Sequence, residues 1–437
     1  MPPPPPNGIP YYATTRPPRA ARAALEGATS ARVCIVGGGF AGLATALGLV
    51  ERGVDAVVLV ESEHIGYGAS GRNGGFVFGG YSLEPAELLR QLGAAEARAL
   101  YALTLDAVAL IRRRIRAYAI DCTPVEGGAL LADWFGDERT MRRRQALMNE
   151  VFGARWRWIA RDELAAWVDS PRYHGALLEP DAFHFDPLAY ALGIAAAAER
   201  GGARLHEGTR AAAIERRGDG YRVRTARGHV DARHVIVAGG GHLRGLLPAL
   251  ERAMLPVATY VMVTEPLGEA ASRWIPSDGA IYDTRFAFDY YHRLADTRLL
   301  WGGRISVRDR SPAAVARLLQ RDMARVFPAL RDARVDHAWS GTMSYARHAM
   351  PQLGALADGL WHAVGFGGHG VAPTTVAGEL LAAAIASAAP LPAAFARYGL
   401  QAMPRPLALA AAQCRYTASQ WRDRLREAWP ASPRRRA

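Results

Sequence analysis

Apolar residues along the 437-residue chain keep two rhythms, which alternate near the N-terminus and separate later. Residues 33–36 form a continuous apolar run, and residues 40–52 then place Leu43, Ala46, Leu47 and Val50 at helical core spacing. Gly53 stops that helix, and a second apolar run over 56–60 predicts the strand that closes a βαβ unit. Helical spacing returns over 84–119, 187–200, 312–326 and 375–386. Strands are predicted at 127–132, at 203–207, 211–216, 221–225 and 228–230 as a meander, and at 234–238 as a buried run ending in glycines. From 255 to 306 the segments 257–263, 285–293 and 297–304 alternate over greater lengths, the mark of an antiparallel sheet. A strand carrying Trp339 and another at 360–364 precede the last core helix.

The turns between these elements carry the chemistry. Gly37-Gly38-Gly39-Phe40-Ala41-Gly42 joins the first strand to the first helix with dinucleotide-binding spacing. Gly37 permits the tight turn, Gly39 lets a pyrophosphate approach the backbone, and Gly42 lets helix and strand pack closely. Phe40 and Ala41 open the helix whose N-terminus faces the phosphates. Glu61, followed by Ser62, ends the second strand and is placed to accept from a ribose hydroxyl. Two further glycine loops follow, Gly66-Tyr67-Gly68-Ala69-Ser70-Gly71-Arg72-Asn73-Gly74-Gly75 and Gly365-Phe366-Gly367-Gly368-His369-Gly370. Nucleotide signals therefore sit in three stretches with the antiparallel sheet inserted between them. The fold class this implies is α/β, a Rossmann-like unit interleaved with an antiparallel-sheet domain. The expected division is an extension at 1–29, a nucleotide-binding domain from 30–82, 180–250 and 335–390, a substrate domain from 83–179 and 251–334, and a C-terminal helical tail over 391–437.

Composition changes this picture little. The net charge of +12 comes from a chain whose 53 basic residues are all arginine. Runs such as Arg112-Arg113-Arg114 and Arg142-Arg143-Arg144 lie beside helically spaced Leu105, Val108, Ile111 and Ile115, so they read as solvated helix faces and no nucleic-acid partner is expected. Cys34, Cys122 and Cys414 form no CxxC pair and no metal-ligand spacing, which predicts a reducing compartment, a cytoplasmic protein and no metal. The proline run at 2–6 lacks the features of a signal peptide, and the apolar segment 380–389 is far shorter than the roughly 18 residues of a membrane span. Residues 2–6 and 432–437 read as disordered tails.

The motifs together resemble the D-amino-acid oxidase family of FAD-dependent oxidoreductases, and within it the γ-glutamylputrescine oxidase-type members. Beyond the three glycine loops, the resemblance rests on Tyr11-Tyr12-Ala13, Val235-Ile236-Val237-Ala238-Gly239-Gly240, Asp289-Tyr290-Tyr291, Trp301-Gly302-Gly303, Trp339-Ser340-Gly341 and Pro351-Gln352-Leu353-Gly354. It implies FAD, with Gly37, Gly39, Gly42 and Glu61 on the ADP half. Ser70, Gly71 and Arg72 would reach the pyrophosphate or the flavin edge, from a loop that also supplies Ala69, Asn73, Gly74 and Gly75. A main-chain contact to adenine is expected near Ala212, and Ala238 and Gly239 complete the nucleotide side. Gly368, His369, Gly370 and Val371 would direct a helix N-terminus at the pyrimidine side of the flavin, where negative charge develops.

The same resemblance implies oxidation of an amine or amino acid by hydride transfer to flavin N5, giving an imine that hydrolyses to a carbonyl compound. Tyr260, Tyr290, Arg304 and His348 are the candidate pocket residues, with Arg347 beside the last. Tyr290 and Tyr291 point to opposite sheet faces, so only one lines the pocket, and Tyr290 is preferred. Arg304 falls where sarcosine oxidase-like relatives carry a histidine, and its fork suits a carboxylate. Those relatives also use a lysine beside the flavin to speed reaction with dioxygen, and here that position falls near Leu300. Dioxygen is the expected acceptor, giving hydrogen peroxide; the alternative is a dehydrogenase feeding a quinone or carrier. With Cys414 beyond the late flavin segment and Cys34 in the first strand, FAD is expected to be bound non-covalently. The substrate expectation is a small primary or secondary amine carrying a remote carboxylate or amide.

Overall fold

The computed structural model describes residues 8–428. Strand Gly27–Val36 lies at the centre of the first sheet, parallel to Val57–Val60 on one side and to Gly228–Val237 on the other. Arg204–His206 extends the sheet beyond Val57–Val60, while Leu360–Val364 and the antiparallel strand Gln352–Ala357 extend it the other way. Residues 33–36 and 57–60 are buried without alternation, as parallel strands covered on both faces must be. Helices Phe40–Glu51 and Val371–Ser387 pack so closely over one face that a Cβ on Gly378 would lie 2.6 Å from that of Ala44. On the other side an antiparallel pair, Ala213–Arg217 and Gly220–Arg224, hangs from Gly228–Val237.

The second sheet runs in the order Val335–Tyr345, Leu255–Thr264, Leu299–Ser306, Asp289–Arg293, Ala280–Asp283, Ala129–Ala132, Ala176–Glu179, Arg157–Ile159. Its back face is closed by helix Pro312–Val326, whose Val315, Leu319, Met323 and Val326 pack with Met262, Tyr291 and Trp301. Its front face turns toward the nucleotide unit.

Several expectations move. Strand 335–345, expected in the nucleotide domain, is an edge of the second sheet, pairing Trp339 with Val261. The expected helix 84–119 is two helices, Pro85–Leu92 and Ala94–Ala117, because Gly93 turns the chain at φ 77°. The second of them packs on helix Val371–Ser387 of the nucleotide unit, with Leu100, Tyr101, Val108 and Ile111 in a core that also reaches the second sheet. Residues 285–293 resolve into a loop followed by strand Asp289–Arg293, and the segments 228–230 and 234–238 are one strand. The arginine run at 112–114 is not wholly a solvated face: Arg114 is buried and ion-paired with both Glu51 and Glu379, tying three helices together. The tail is ordered into helix Arg405–Ala428, while the expectations for 2–6 and 432–437 lie outside the described residues. Among the described residues no helix is long and apolar enough to cross a membrane, and no cluster of metal-ligand side chains occurs.

Candidate active site

A cavity of about 1720 Å³ is bounded by both sheets and by the C-terminal helix. At one end it is lined by Gly37, Gly39, Phe40, Ala41, Glu61 and Ser62, and at the other by Tyr282, Tyr290 and Tyr416. Two helix N-termini reach it. Phe40–Glu51 starts after Gly39 and Val371–Ser387 after Gly370, and neither has a side-chain cap on its first N–H groups. Only the Phe40 N–H is met from outside, donating to Ser70 Oγ at 2.9 Å. Two partly positive helix ends opening on one cavity make a receptor for anionic groups.

Arg72 lines the same cavity. It is 7% exposed, donating from Nε to the Tyr67 carbonyl at 2.9 Å and from Nη1 to the carbonyls of Gly8 and Ser340 at 3.1 and 3.3 Å. Burial lowers its pKa, with weaker opposing influence from Tyr67 and Asp309. A buried guanidinium held by carbonyls alone leaves positive charge for a ligand to neutralise. Glu61 accepts from the Gly38 N–H at 2.6 Å and from Ser62 Oγ and the Glu63 N–H at 3.1 and 2.9 Å, which orients its carboxylate at the cavity wall.

Residues 32–384 match the family model of FAD-dependent oxidoreductases, DAO. The chain belongs to this family. It is 35% identical over 374 residues to γ-glutamylputrescine oxidoreductase of Escherichia coli (strain K12), covering 85% of this chain and 87% of that protein. Among solved structures, glycine oxidase from Geobacillus kaustophilus superposes with a TM-score of 0.69 at 22% identity, covering 85% of this chain and 99% of its own. L-proline dehydrogenase from P. horikoshii gives 0.71 at 20% identity, covering 85% and 100%. These two likenesses establish the shared fold.

The residues present fit FAD. The uncapped helix ends and Arg72 suit a pyrophosphate and a flavin edge, and Gly37, at φ 119°, makes a turn that an added Cβ would block 2.7 Å from the Ala238 carbonyl. Ser62, Ala69, Ser70, Asn73, Gly74, Ala238, Gly239, Gly368, His369, Gly370 and Val371 all line the cavity. Four expected contacts do not: Gly42, Gly71, Gly75 and Ala212, with Gly71 packed on the Gly66 carbonyl and Leu188. Gly42 packs beneath on the Gly37 carbonyl, and Gly75 packs on the Phe185 carbonyl. Ala212 donates its N–H to Arg224 at 2.7 Å within the sheet, leaving Thr209, Arg210 and Ala211 at the wall. Asn73 is a brace for its own loop, donating to Ala69 and Ser70 and accepting from the Gly75 N–H. His369 pairs Nε2 with the Gly79 carbonyl at 2.8 Å, and burial pushes it down to about 4, so the neutral imidazole locks two loops together.

The substrate end corrects more. Tyr260 faces the back of the second sheet, 1% exposed, and its hydroxyl donates to the Arg308 carbonyl at 2.6 Å. A register shift between Thr259 and Tyr260 sets that facing. Arg304 lines the cavity, but its fork holds Asp322 with Nε and Nη2 at 2.7 and 2.6 Å, so it is not free to clamp a substrate carboxylate. His348 lies off the cavity, between the Gly399 carbonyl and the Met350 N–H. Tyr290 lines the cavity as expected, while Tyr291 stacks on Trp301 behind the sheet at 4.2 Å. Leu300 is fully buried against Val261, Val263 and Trp339. Opposite it, His292 bonds the Gly74 carbonyl at 3.0 Å, and burial lowers its pKa, so it brings no charge there.

Sequence reasoning missed Phe76, Phe78, Tyr282 and Phe288, all on the cavity wall, and the part played by the C-terminal helix. The loop after Gly75 carried no strand signal, so only the fold shows that Phe76 and Phe78 reach the cavity.

Proposed function

We propose that this protein oxidises a small amine at the carbon bearing nitrogen and passes the electrons to dioxygen. FAD, held non-covalently, supplies the hydride acceptor. The observation that carries this reading is the joining, in one cavity, of an anion-receptive end built on Arg72 and two helix N-termini with an aromatic chamber holding Tyr282 and Tyr290. The similarity to a γ-glutamylputrescine oxidoreductase supports an amine substrate.

The protein's part is binding and exclusion of water. Burial pushes the phenols of Tyr282 and Tyr290 upward, so both stay protonated and can hydrogen-bond an amine without ionising. A bound ammonium gives up its proton to solvent water before the hydride leaves, and the imine product hydrolyses in water. Among the described residues, Arg347, Arg415 and Arg422 line the cavity without an ion-pair partner, and they replace Arg304 as anchors for a remote carboxylate. Arg72 supplies the fixed positive charge that Leu300 lacks.

The apolar packing of Leu300 favours a second reading, a dehydrogenase serving a quinone or carrier. Both are tested together by screening amines for anaerobic bleaching of the yellow protein, then mixing the bleached protein with air-saturated buffer. Return of colour within seconds supports the oxidase; return over minutes leaves the dehydrogenase. Flavin released into the supernatant on acid precipitation is the expected sign of non-covalent binding.

A further inference from the structure

Five aromatic side chains on the cavity wall form a closed ring. Phe76 lies 6.1 Å from Phe78, Phe78 5.7 Å from Tyr282, Tyr282 6.0 Å from Phe288, Phe288 6.3 Å from Tyr290, and Tyr290 5.4 Å from Phe76, centroid to centroid. The backbone explains the arrangement. Phe76 and Phe78 are two apart and share a face. Tyr282 and Tyr290 are directly opposed across strands Ala280–Asp283 and Asp289–Arg293, splayed to either side of Phe288 in the loop between them. Among the described residues, no non-neighbouring pair of the five makes ring contact, so the ring is open rather than collapsed. A five-membered ring with these edges has its centre about 5 Å from each centroid, inside the roughly 6 Å over which a cation is attracted to an aromatic ring.

Three observations separate this ring from ordinary core packing. All five side chains keep accessible surface, Phe288 at the rim reaching 41%, whereas Tyr291 and Trp301 on the opposite face are fully buried. The chain places arginines over many aromatic rings, three over Trp134 alone, yet among the described residues none lies over any of these five. Arg285 and Arg304, which line the same cavity, are neutralised by Asp283, Asp289 and Asp322, so neither opposes a cationic guest, while Arg347, Arg415 and Arg422, unpaired among the described residues, are left for a remote carboxylate.

We propose that this ring is an ammonium cage, which makes the enzyme selective for N-alkylated amines and gives it affinity for quaternary ammonium ions that it cannot oxidise. N-alkyl groups lie against the ring faces and spread the charge that those faces attract, whereas a primary ammonium remains better solvated by water. A quaternary nitrogen has no lone pair, so such an ion reports occupancy without turnover.

The proposal rests on the amine reading but is tested apart from it. The flavin-loaded protein is titrated with choline, and separately with the neutral isostere of choline in which carbon replaces nitrogen, while the visible flavin band is followed. Choline is expected to shift the band and to bind at least tenfold more tightly than the isostere. Phe288→Leu, at the exposed rim, and Phe78→Leu are expected to weaken choline fivefold or more with flavin content unchanged. Equal binding of the two probes, or choline binding indifferent to both substitutions, overturns the cage. Choline binding without bleaching by any amine keeps the cage and defeats the oxidase; bleaching by amines without choline binding does the reverse.

Discussion

Tyr290 is held in place by what its neighbours lack. A Cβ on Gly74 would come within 2.5 Å of its ring, and one on Gly302, directly across the strand pair, would overlap it. The ring lies in a slot between two glycines, and the slot fixes its plane at the cavity wall. Gly302→Ala is therefore expected to drive the ring into the chamber, at the cost of about 1–3 kcal/mol typical of overpacking. Steady-state kinetics should show kcat/KM for the amine falling tenfold or more while flavin content stays unchanged; a parallel loss of flavin would point to general disruption. At this scale the sequence was legible where chemistry is local. The glycines at 37 and 39 and Glu61 lie where their spacing put them. It was not legible where a side chain's partner is distant: Asp322 holds Arg304, a strand residue, from helix Pro312–Val326, and a register shift turns Tyr260 away.

Helix Arg405–Ala428 is an element whose work is invisible in its own pattern. It buries no residue fully: Ala408, Leu409, Ala412 and Tyr416 pack partly exposed against Leu255, Val257 and Met403, and polar contacts add to that attachment. Asp423 accepts from the Phe286 N–H at 2.8 Å, Gln413 from the Val307 N–H at 3.2 Å, and Glu427 pairs with Arg172 and Arg325. The Asp423 contact, with Tyr416 beside Phe286, holds the 284–288 loop, which carries the rim of the aromatic ring. A chain ending at Pro404 is expected to keep its flavin but to show a KM for amine raised fivefold or more, with new proteolytic cleavage within 284–288. Unchanged kinetics would remove the helix from the site. A segment that buries no residue fully reads as a tail, so its part in the cavity became visible only from the fold.

For the whole molecule, the interleaving of two units was legible, since three glycine-rich signals flanked an alternating segment. The boundary at 335 was not, because a strand of ten or so residues does not announce which sheet it joins. Folding also buries titratable groups with opposite pH effects. Glu179 is buried, which pushes its carboxyl up from 4.5 to about 8. The folded state then holds a proton that the unfolded state has released, so this group favours folding less as pH rises from about 4.5 to about 8. His369 and His362, each pushed down by burial from 6.5 to about 4, act in reverse: stability falls as pH drops through that window. Glu179→Gln is expected to gain thermal stability relative to the parent at pH 8 compared with pH 5, as read by melting temperature.

The register of the first sheet also sets a timetable. Val36 pairs with Val60 on one side, but its partner on the other is Val237. Chains grow at roughly 5–20 residues per second, so the apolar edge at 33–36 emerges from the ribosome roughly 10–40 s before the strand that covers it. During synthesis this unpaired edge is an adhesive surface, and the yield of soluble protein depends on what shields it in that interval.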